Sequence, residues 1–420
     1  LQKDGGKLAN ELKDQGYATF ARTGDIYCIF YEKGLNLLKD KGILCYITSN
    51  KWMRAGYGEK LRGYLADNCN PLKLIDYAGN KIFESATVDV NTLIACKEKN
   101  KGKTLAVTVD DGCTSNLSDY IKQNSSEISF NNSENWVILN SIELSIKKKI
   151  EQYGTKLQDW NLSINRGILT GYNDAFIIDE ATKNSLITAD PKSAELIRPI
   201  LRGKDIKRYT YNFANLWLIY IPWHFPLQND PNIKGASVKA EEEFKKQYPA
   251  VYSYLEGHKE KLSKRNKAET GIRYEWYALQ RWGSNYSDEF YKQKIMYNDI
   301  NRRLSFCLVD KGIFCNNTVY FISTEIHQNY FLAILNSKLI NWYYKTLSVQ
   351  LGENAVRMFT IYVNKIPIPK INSQKEKEIS ILVDEFFKSF DSEIDSKLDS
   401  LIFDLYNLTK EEIEYIKINF

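Results

Sequence analysis

The stretch Gly24-Asp-Ile-Tyr-Cys-Ile-Phe-Tyr-Glu-Lys-Gly-Leu-Asn-Leu-Leu-Lys-Asp-Lys-Gly-Ile-Leu-Cys-Tyr-Ile-Thr48 decides the fold class. Ile26, Tyr27, Phe30, Leu35 and Leu38 recur at helical spacing, and Lys39-Asp-Lys-Gly42 ends the helix with basic charge and a glycine. Ile43 to Ile47 then reads as a short buried strand. After a loop at Asn50 to Arg54, Gly58 to Asn68 returns to helical period through Leu61 and Leu65, and Leu72 to Tyr77, Thr92 to Cys96 and Thr104 to Val109 are strand-like. Helices alternating with short apolar strands predict an α/β layer whose sheet is at least partly parallel. No G-x-G-x-x-G or P-loop occurs in the chain, so the phosphate-binding turn of a nucleotide-binding sheet is missing.

Outward from that stretch, Asp110 to Trp136 is rich in Ser, Asn and Asp and predicts a surface segment, followed by a connecting helix at Ser141 to Tyr153. The character then changes. Arg166 to Asp179 has a turn-strand pattern, Leu216 to Pro222 and Thr318 to Ile322 read as strands, and Tyr330 to Leu347 as one amphipathic helix. A mixed α+β region with long connections is expected, the kind that carries binding function. Ser373 to Phe420 reads as acidic and helical, with Thr409-Lys-Glu-Glu412 as a capping box. The expected organisation is 1–139, a partial catalytic sheet; 140–164, a connector; 165–371, a recognition domain; and 372–420, a helical tail.

Length and composition set outer bounds. With 420 residues, 43% hydrophobic and 26% charged, the chain is not disordered, collagen-like or a disulfide miniprotein. The seven cysteines are odd in number, lack a C-x-x-C pair and sit mostly in apolar runs, which predicts reduced, buried thiols and a cytoplasmic protein. His224, His258 and His327 are too far apart in sequence to suggest a zinc site. No run reaches the length of a membrane span, and a start at Leu1 without Met predicts a fragment. Lys and Arg outnumber Asp and Glu by 57 to 52, yet the segment 373–420 holds six basic and twelve acidic residues, so the body before it carries +11. Such a body suits a polyanion.

The segment Thr23 to Trp52 resembles the part of N6-adenine DNA methyltransferases that follows their Asn-Pro-Pro-Tyr catalytic motif, and Ile75-Asp-Tyr-Ala-Gly-Asn-Lys-Ile-Phe-Glu-Ser-Ala-Thr-Val-Asp89 resembles their later target-base motif. Gly167 to Phe176, Ile200 to Tyr209 and Tyr362-Val-Asn-Lys-Ile-Pro-Ile-Pro369 resemble the TaqI-type specificity domain of type IIG and Eco57I-like restriction-modification enzymes. The resemblance implies a partial class I methyltransferase sheet, a target-recognition domain and C-terminal helices. It also implies double-stranded DNA as partner, S-adenosylmethionine as the methyl donor of the intact enzyme, and a missing N-terminal methyltransferase half that holds most of the cofactor site. Neither the cofactor's Gly-containing turn nor Asn/Asp-Pro-Pro-Tyr occurs here, so no catalytic residue is assigned and the chain alone is expected to be inactive. A non-catalytic DNA-binding module of a split enzyme or phage-defence relative is the alternative.

Site residues follow. The resemblance matches Phe83 to the aromatic that lines the target-adenine pocket, with Asp25 and Tyr27 beside it; a flipped base needs such a π-face to replace lost stacking. Asp25 fits a helix-capping acid equally well. Lys51, at a strand end, is a phosphate candidate. In the recognition region Arg202, Lys204, Lys207 and Arg208 cluster against Asp205 alone, and 259–303 holds eleven basic and six acidic residues interleaved with Trp276, Tyr277, Trp282, Tyr286 and Tyr297. Gln280, Arg281, Trp282, Asn301, Arg302 and Arg303 are the expected DNA contacts there, Arg suiting guanine edges and phosphates, Gln and Asn suiting adenine. Gly171 is expected to serve a turn. Glu243-Phe-Lys245 has the short Glu-x-Lys pattern of a nuclease, but in a helical run it reads as coincidence.

Overall fold

Two apolar helix stripes and five short strands build the first sheet. The computed structural model describes residues 6–78, 80–84, 88–109, 116–265, 274–348, 350–351, 355–370 and 372–420. Lys267, Glu269 and Arg273 of the basic stretch, and Cys113, lie outside the described residues. The chain forms two compact units, the first Leu1–Gln152, Trp342–Val356 and Tyr406–Phe420, the second Tyr153–Asn341 and Arg357–Leu405. The units therefore interleave in sequence, and the acidic stretch read as one tail divides at Leu405.

In the first unit α1 (Tyr27–Leu37) leads to β1 (Ile43–Ser49), and α2 (Glu59–Asn68) to β2 (Asn70–Asp76). β3 (Val90–Cys96), β4 (Thr104–Thr108), β5 (Ser126–Ile128) and α3 (Ser141–Tyr153) follow. The sheet order is β1-β3-β2-β4-β5. β3 lies antiparallel between β1 and β2, so these two run the same way, and β4 is parallel to β2. The expectation of a partly parallel sheet is met.

Tyr31 and Leu35 of α1 and Leu61 and Leu65 of α2 bury against Leu44, Leu74, Leu93 and Ala106 on one face of this sheet. α1 approaches closely because of Gly34: a Cβ there would lie 2.6 Å from the Tyr46 hydroxyl and 2.8 Å from Leu44 Cδ1. The other face buries Ile75, Val90, Val107 and Val109 under the short helix Leu117–Asn124. Of Asp110 to Trp136, read as surface, the described residues 116–136 are mostly exposed or half-buried, with Ile128, Phe130 and Trp136 buried. Phe130 and Trp136 stack at 4.7 Å, and Trp136 packs edge-on against Trp52 in the core. The polar composition of that segment belongs to the turns around two anchoring rings.

The second unit holds β6 (Ser163–Arg166), β7 (Ile177–Asp179), β8 (Ile197–Leu201), β9 (Leu216–Ile219) and α4 (Val238–Gln247). β10 (Lys294–Asn298), β11 (Phe306–Val309), β12 (Phe314–Cys315) and β13 (Val319–Ser323) complete two four-stranded sheets, ordered β12-β8-β9-β7 and β11-β10-β13-β6. They share one core with Phe244, Tyr277, Phe290, Met296 and Phe321. The expected helix at Tyr330 to Leu347 is two helices, α5 (Gln328–Asn336) and α6 (Lys338–Leu347). Ser337 breaks it: its backbone is extended (ψ 155) and its hydroxyl accepts from Ile340 N, capping the second helix. α7 (Ser373–Ser389) and α8 (Ser392–Leu405) pack as a pair. The capping box at Thr409 and Glu412 is present on the terminal helix Lys410–Asn419, and Glu243 and Lys245 lie within α4, in line with coincidence.

Candidate functional site

Because β1 and β2 run the same way, their C-terminal ends share one edge of the first sheet. There the register places Thr48 beside Asn91, Asn91 beside Asp76, and Asp76 beside Thr108. In-register residues project from the same face, so the four strands contribute one polar row. Two residues further in, the row is Tyr46, Leu93, Leu74 and Ala106, which belongs to the core.

Hydrogen bonds organise the row. The Tyr31 and Thr48 hydroxyls lie 2.9 Å apart, and Thr48 Oγ1 donates to Asn91 Oδ1 at 3.3 Å. Asn50, just past β1, donates from Nδ2 to Asp76 Oδ1 at 2.9 Å. Ala78 N donates to the same oxygen at 3.1 Å. Asn91 is fully buried, and its Nδ2 has no hydrogen-bond partner among the described residues. Arg54 is close enough for its charge to feel Asp76 and Glu143; burial, the larger effect, holds its pKa below the ordinary arginine value.

The predicted pocket residues fall around this edge. Phe83 lies in the loop between β2 and β3 with 41% of its surface exposed. Lys51 is exposed in the turn after β1. Asp25 is exposed two residues before α1, where its carboxylate accepts from the adjacent Ile26 N at 2.7 Å, and the first turn of α1 holds no acidic residue. Tyr27 is half-buried, its hydroxyl 2.7 Å from that of Tyr57, and burial first, then this hydrogen bond, push its pKa far up. Phe83 makes no ring contact with Tyr27 among the described residues.

In the second unit the basic candidates divide. Arg202 forms two bonds to the carboxylate of buried Asp205, at 3.0 and 3.1 Å. Arg208, expected at DNA, turns inward: it grips Asp395 of α8 through two bonds at 2.8 and 2.6 Å and Asn336 O at 3.1 Å. Burial alone would lower its pKa; the pairing with Asp395 outweighs it and raises it. Gln280 is buried, with its Oε1 against Gly171. Trp282 packs on the core with a buried indole N–H that has no partner among the described residues. Asn301 donates to Met358 Sδ. Lys204, Lys207, Arg281, Arg302 and Arg303 are at the surface.

The reading of 259–303 as one basic, aromatic-studded contact surface needs correction. Trp276, Tyr277 and Tyr297 are core residues. Lys294 is fully buried, its Nζ donating to Phe290 O and Lys292 O at 2.8 Å each, and burial lowers its pKa to about 8. Arg265 is buried and, among the described residues, has no carboxylate partner; it donates to the carbonyls of Leu262, Thr170, Trp276 and Ala278. Burial lowers its pKa to about 10. It fastens the Thr170 turn, where Gly171 has φ +76.

Arg166 is a surface cation the sequence reading quoted without giving it a role. It ends β6, donates from Nε to Asn317 O at 2.8 Å, and stands 5.4 Å from the centre of the Tyr320 ring. Asp299 feels its charge and that of Arg357, although burial raises the Asp299 pKa overall. Its position at a strand end was the available signal.

One chain thus carries an α/β sheet with a polar strand-end edge and a mixed unit with surface cations. Residues 1–83 match the model of the Eco57I restriction-modification methylase, and residues 198–368 match that of the TaqI-like C-terminal specificity domain. The chain thus resembles Eco57I-type restriction-modification methylases with a TaqI-like specificity domain. It is 23% identical to the type II methyltransferase M.BstVI of Geobacillus stearothermophilus over 96% of this chain and 70% of that protein. To the type II restriction enzyme and methyltransferase RM.Eco57I of Escherichia coli it is 25% identical, over 88% of this chain and 39% of that one. The type IIL restriction-modification enzyme MmeI, solved in complex with DNA, shares the fold with a TM-score of 0.59 at 14% identity, over 99% of this chain and 54% of that chain. The chain therefore spans less than two thirds of the length of RM.Eco57I and of MmeI. Among the described residues no helix is long and apolar enough to cross a membrane.

Proposed function

We propose that this chain supplies the target-adenine pocket and the DNA target recognition of a site-specific adenine-N6 methyltransferase in a restriction-modification system. The observation that carries this reading is the succession of the two family matches along one chain. In the proposed arrangement the first unit is the closing part of a class I methyltransferase sheet, and Phe83 holds the flipped adenine. Lys51, Lys204, Lys207, Arg281, Arg302, Arg303 and Arg166 meet duplex DNA. Arg202, Arg208, Gln280, Trp282 and Asn301 support that surface from within, and Asp25 and Tyr27 shape the start of α1.

S-adenosylmethionine is the methyl donor this reading implies. The residues present do not fit it: the sequence holds no G-x-G-x-x-G and no Asn/Asp-Pro-Pro-Tyr of the kind the resemblance calls for. Cofactor binding is accordingly assigned to another part of the enzyme. The free side of β1 supports a sheet that continues: among the described residues β1 pairs only with β3, and Ile43, Cys45 and Ile47 are exposed along it.

The test is Phe83→Ala in the intact enzyme. Aromatic stacking of about 1–3 kcal/mol per base corresponds to a loss of methylation of roughly 5- to 150-fold, with site-specific duplex binding retained. Unchanged turnover would refute the pocket.

A further inference from the structure

Asp76 is the last residue of β2, 8% exposed, and forms no ion pair within hydrogen-bond reach among the described residues. A buried carboxylate at such a place needs bonds that repay its desolvation. Among the described residues its carboxylate accepts two, both on one oxygen and from two different loops: Asn50 Nδ2, leaving β1, and Ala78 N, leaving β2. Ala78 sits at φ +47, a left-handed conformation that an alanine adopts only where its surroundings impose it. Two residues on, Asn80 Nδ2 donates to Tyr77 O and Val109 O, both at 2.9 Å. Asp76, Ala78 and Asn80 are thus each pinned at the root of the loop that carries the exposed ring of Phe83.

We propose that Asp76 is a positioning residue for the target-base edge, holding Asn50 and the Ala78 turn so that Phe83 is presented to the base. This rests on the proposed role of Phe83. Asp76 touches no reacting atom in the arrangement; its effect is on geometry. The alternative job for the carboxylate is to offset the charge of Arg54, and the two jobs make different demands. Positioning needs an acceptor oxygen at Oδ1, which asparagine retains, whereas charge offset needs the anion.

The experiment uses the full-length enzyme with duplex DNA carrying 2-aminopurine at the target position, whose fluorescence rises when the base leaves the stack. Asp76→Ala is expected to lower kcat about tenfold, roughly the loss of one to two hydrogen bonds' worth of alignment, with KM for DNA little changed and a reduced fluorescence rise. Asp76→Asn is expected to restore both. If Asp76→Asn is as impaired as Asp76→Ala, the charge matters and the positioning role is overturned. Wild-type kcat in Asp76→Ala overturns it as well. If Asp76→Ala does not fold, Asn50→Ala, which removes one of the two bonds, carries the test: a lowered kcat at unchanged KM supports positioning, and an unchanged kcat overturns it. Phe83→Ala is run alongside. If that variant alone behaves as wild type, the base-holding reading has failed, whereas an impaired Phe83→Ala beside a normal Asp76→Ala rejects only the role of Asp76.

Discussion

Arg208→Ala separates a structural from a DNA-contacting arginine. The substitution removes two charge-assisted bonds to Asp395 and one to Asn336 O, and strands a carboxylate whose side chain is 21% exposed, against 16% for the arginine. Breaking a fully buried pair costs about 3–5 kcal/mol and an exposed one under about 1; this pair, mostly but not wholly covered, is expected to cost about 2–3 kcal/mol. For a unit of this size that lowers Tm by roughly 4–12 °C. Asp395 also faces Asp399, whose burial already disfavours its charge, so loss of the guanidinium leaves two carboxylates opposed. The assay is urea unfolding with a double-mutant cycle against Asp395→Ala, in which a coupling above about 1 kcal/mol is expected. In parallel, the salt dependence of DNA binding is measured. Arg208→Ala should leave the slope of log affinity against log salt unaltered, whereas Lys207→Ala, at the surface one residue away, should reduce it by about 0.9. A normal Tm for Arg208→Ala together with a slope reduced by that amount would refute the internal assignment.

Two further outcomes are expected. Burial, opposed by the bond from Lys338 N and augmented by Asp395, raises the pKa of Asp399 to about 6, so the folded state takes up a proton between its ordinary carboxyl value near 3.9 and about 6. The contribution of this group is present at low pH and is lost as pH rises through about 6; Asp399→Asn, which keeps the acceptor for Lys338 N, should gain stability relative to wild type between pH 4.5 and 7, and a pH-independent difference would contradict this. Gly171→Ala forces a Cβ to within 2.4 Å of Gln280 Oε1 and 2.6 Å of Arg265 Cδ at φ +76; a loss of about 2–4 kcal/mol is expected in urea unfolding, and wild-type stability would show that the turn relaxes freely.

Local pattern made four strands of the first sheet legible, because each is a short apolar run between turn signals: Ile43 to Ile47 and Thr92 to Cys96 lie within strands, and Leu72 to Tyr77 and Thr104 to Val109 each overrun theirs by one residue. Their order was not legible. That β3 enters between β1 and β2 is a matter of non-local pairing that no window of sequence contains. The same limit explains the basic cluster. Arg208 meets an acid 187 residues away, and Arg265 and Lys294 meet backbone carbonyls, which composition never counts. The periodicity of 330–347 is real on both sides of Ser337, and only the backbone turn at that residue divides it. Phe83 and Lys51 could be placed at strand ends by pattern and resemblance, whereas Asp76 became visible once the register set it beside Asn91 and Thr108.

The clamp around Arg265 bears on how salt titrations of this protein are to be interpreted. Among the described residues its guanidinium donates to four neutral carbonyls and meets no carboxylate for chloride to displace. Counterions compete for the outward lysines and arginines while this fastening, and the Thr170 turn it secures, stay indifferent to ionic strength. In the proposed complex with DNA, elution at high salt is therefore expected to report the outward contacts being surrendered while the Thr170 turn stays fastened.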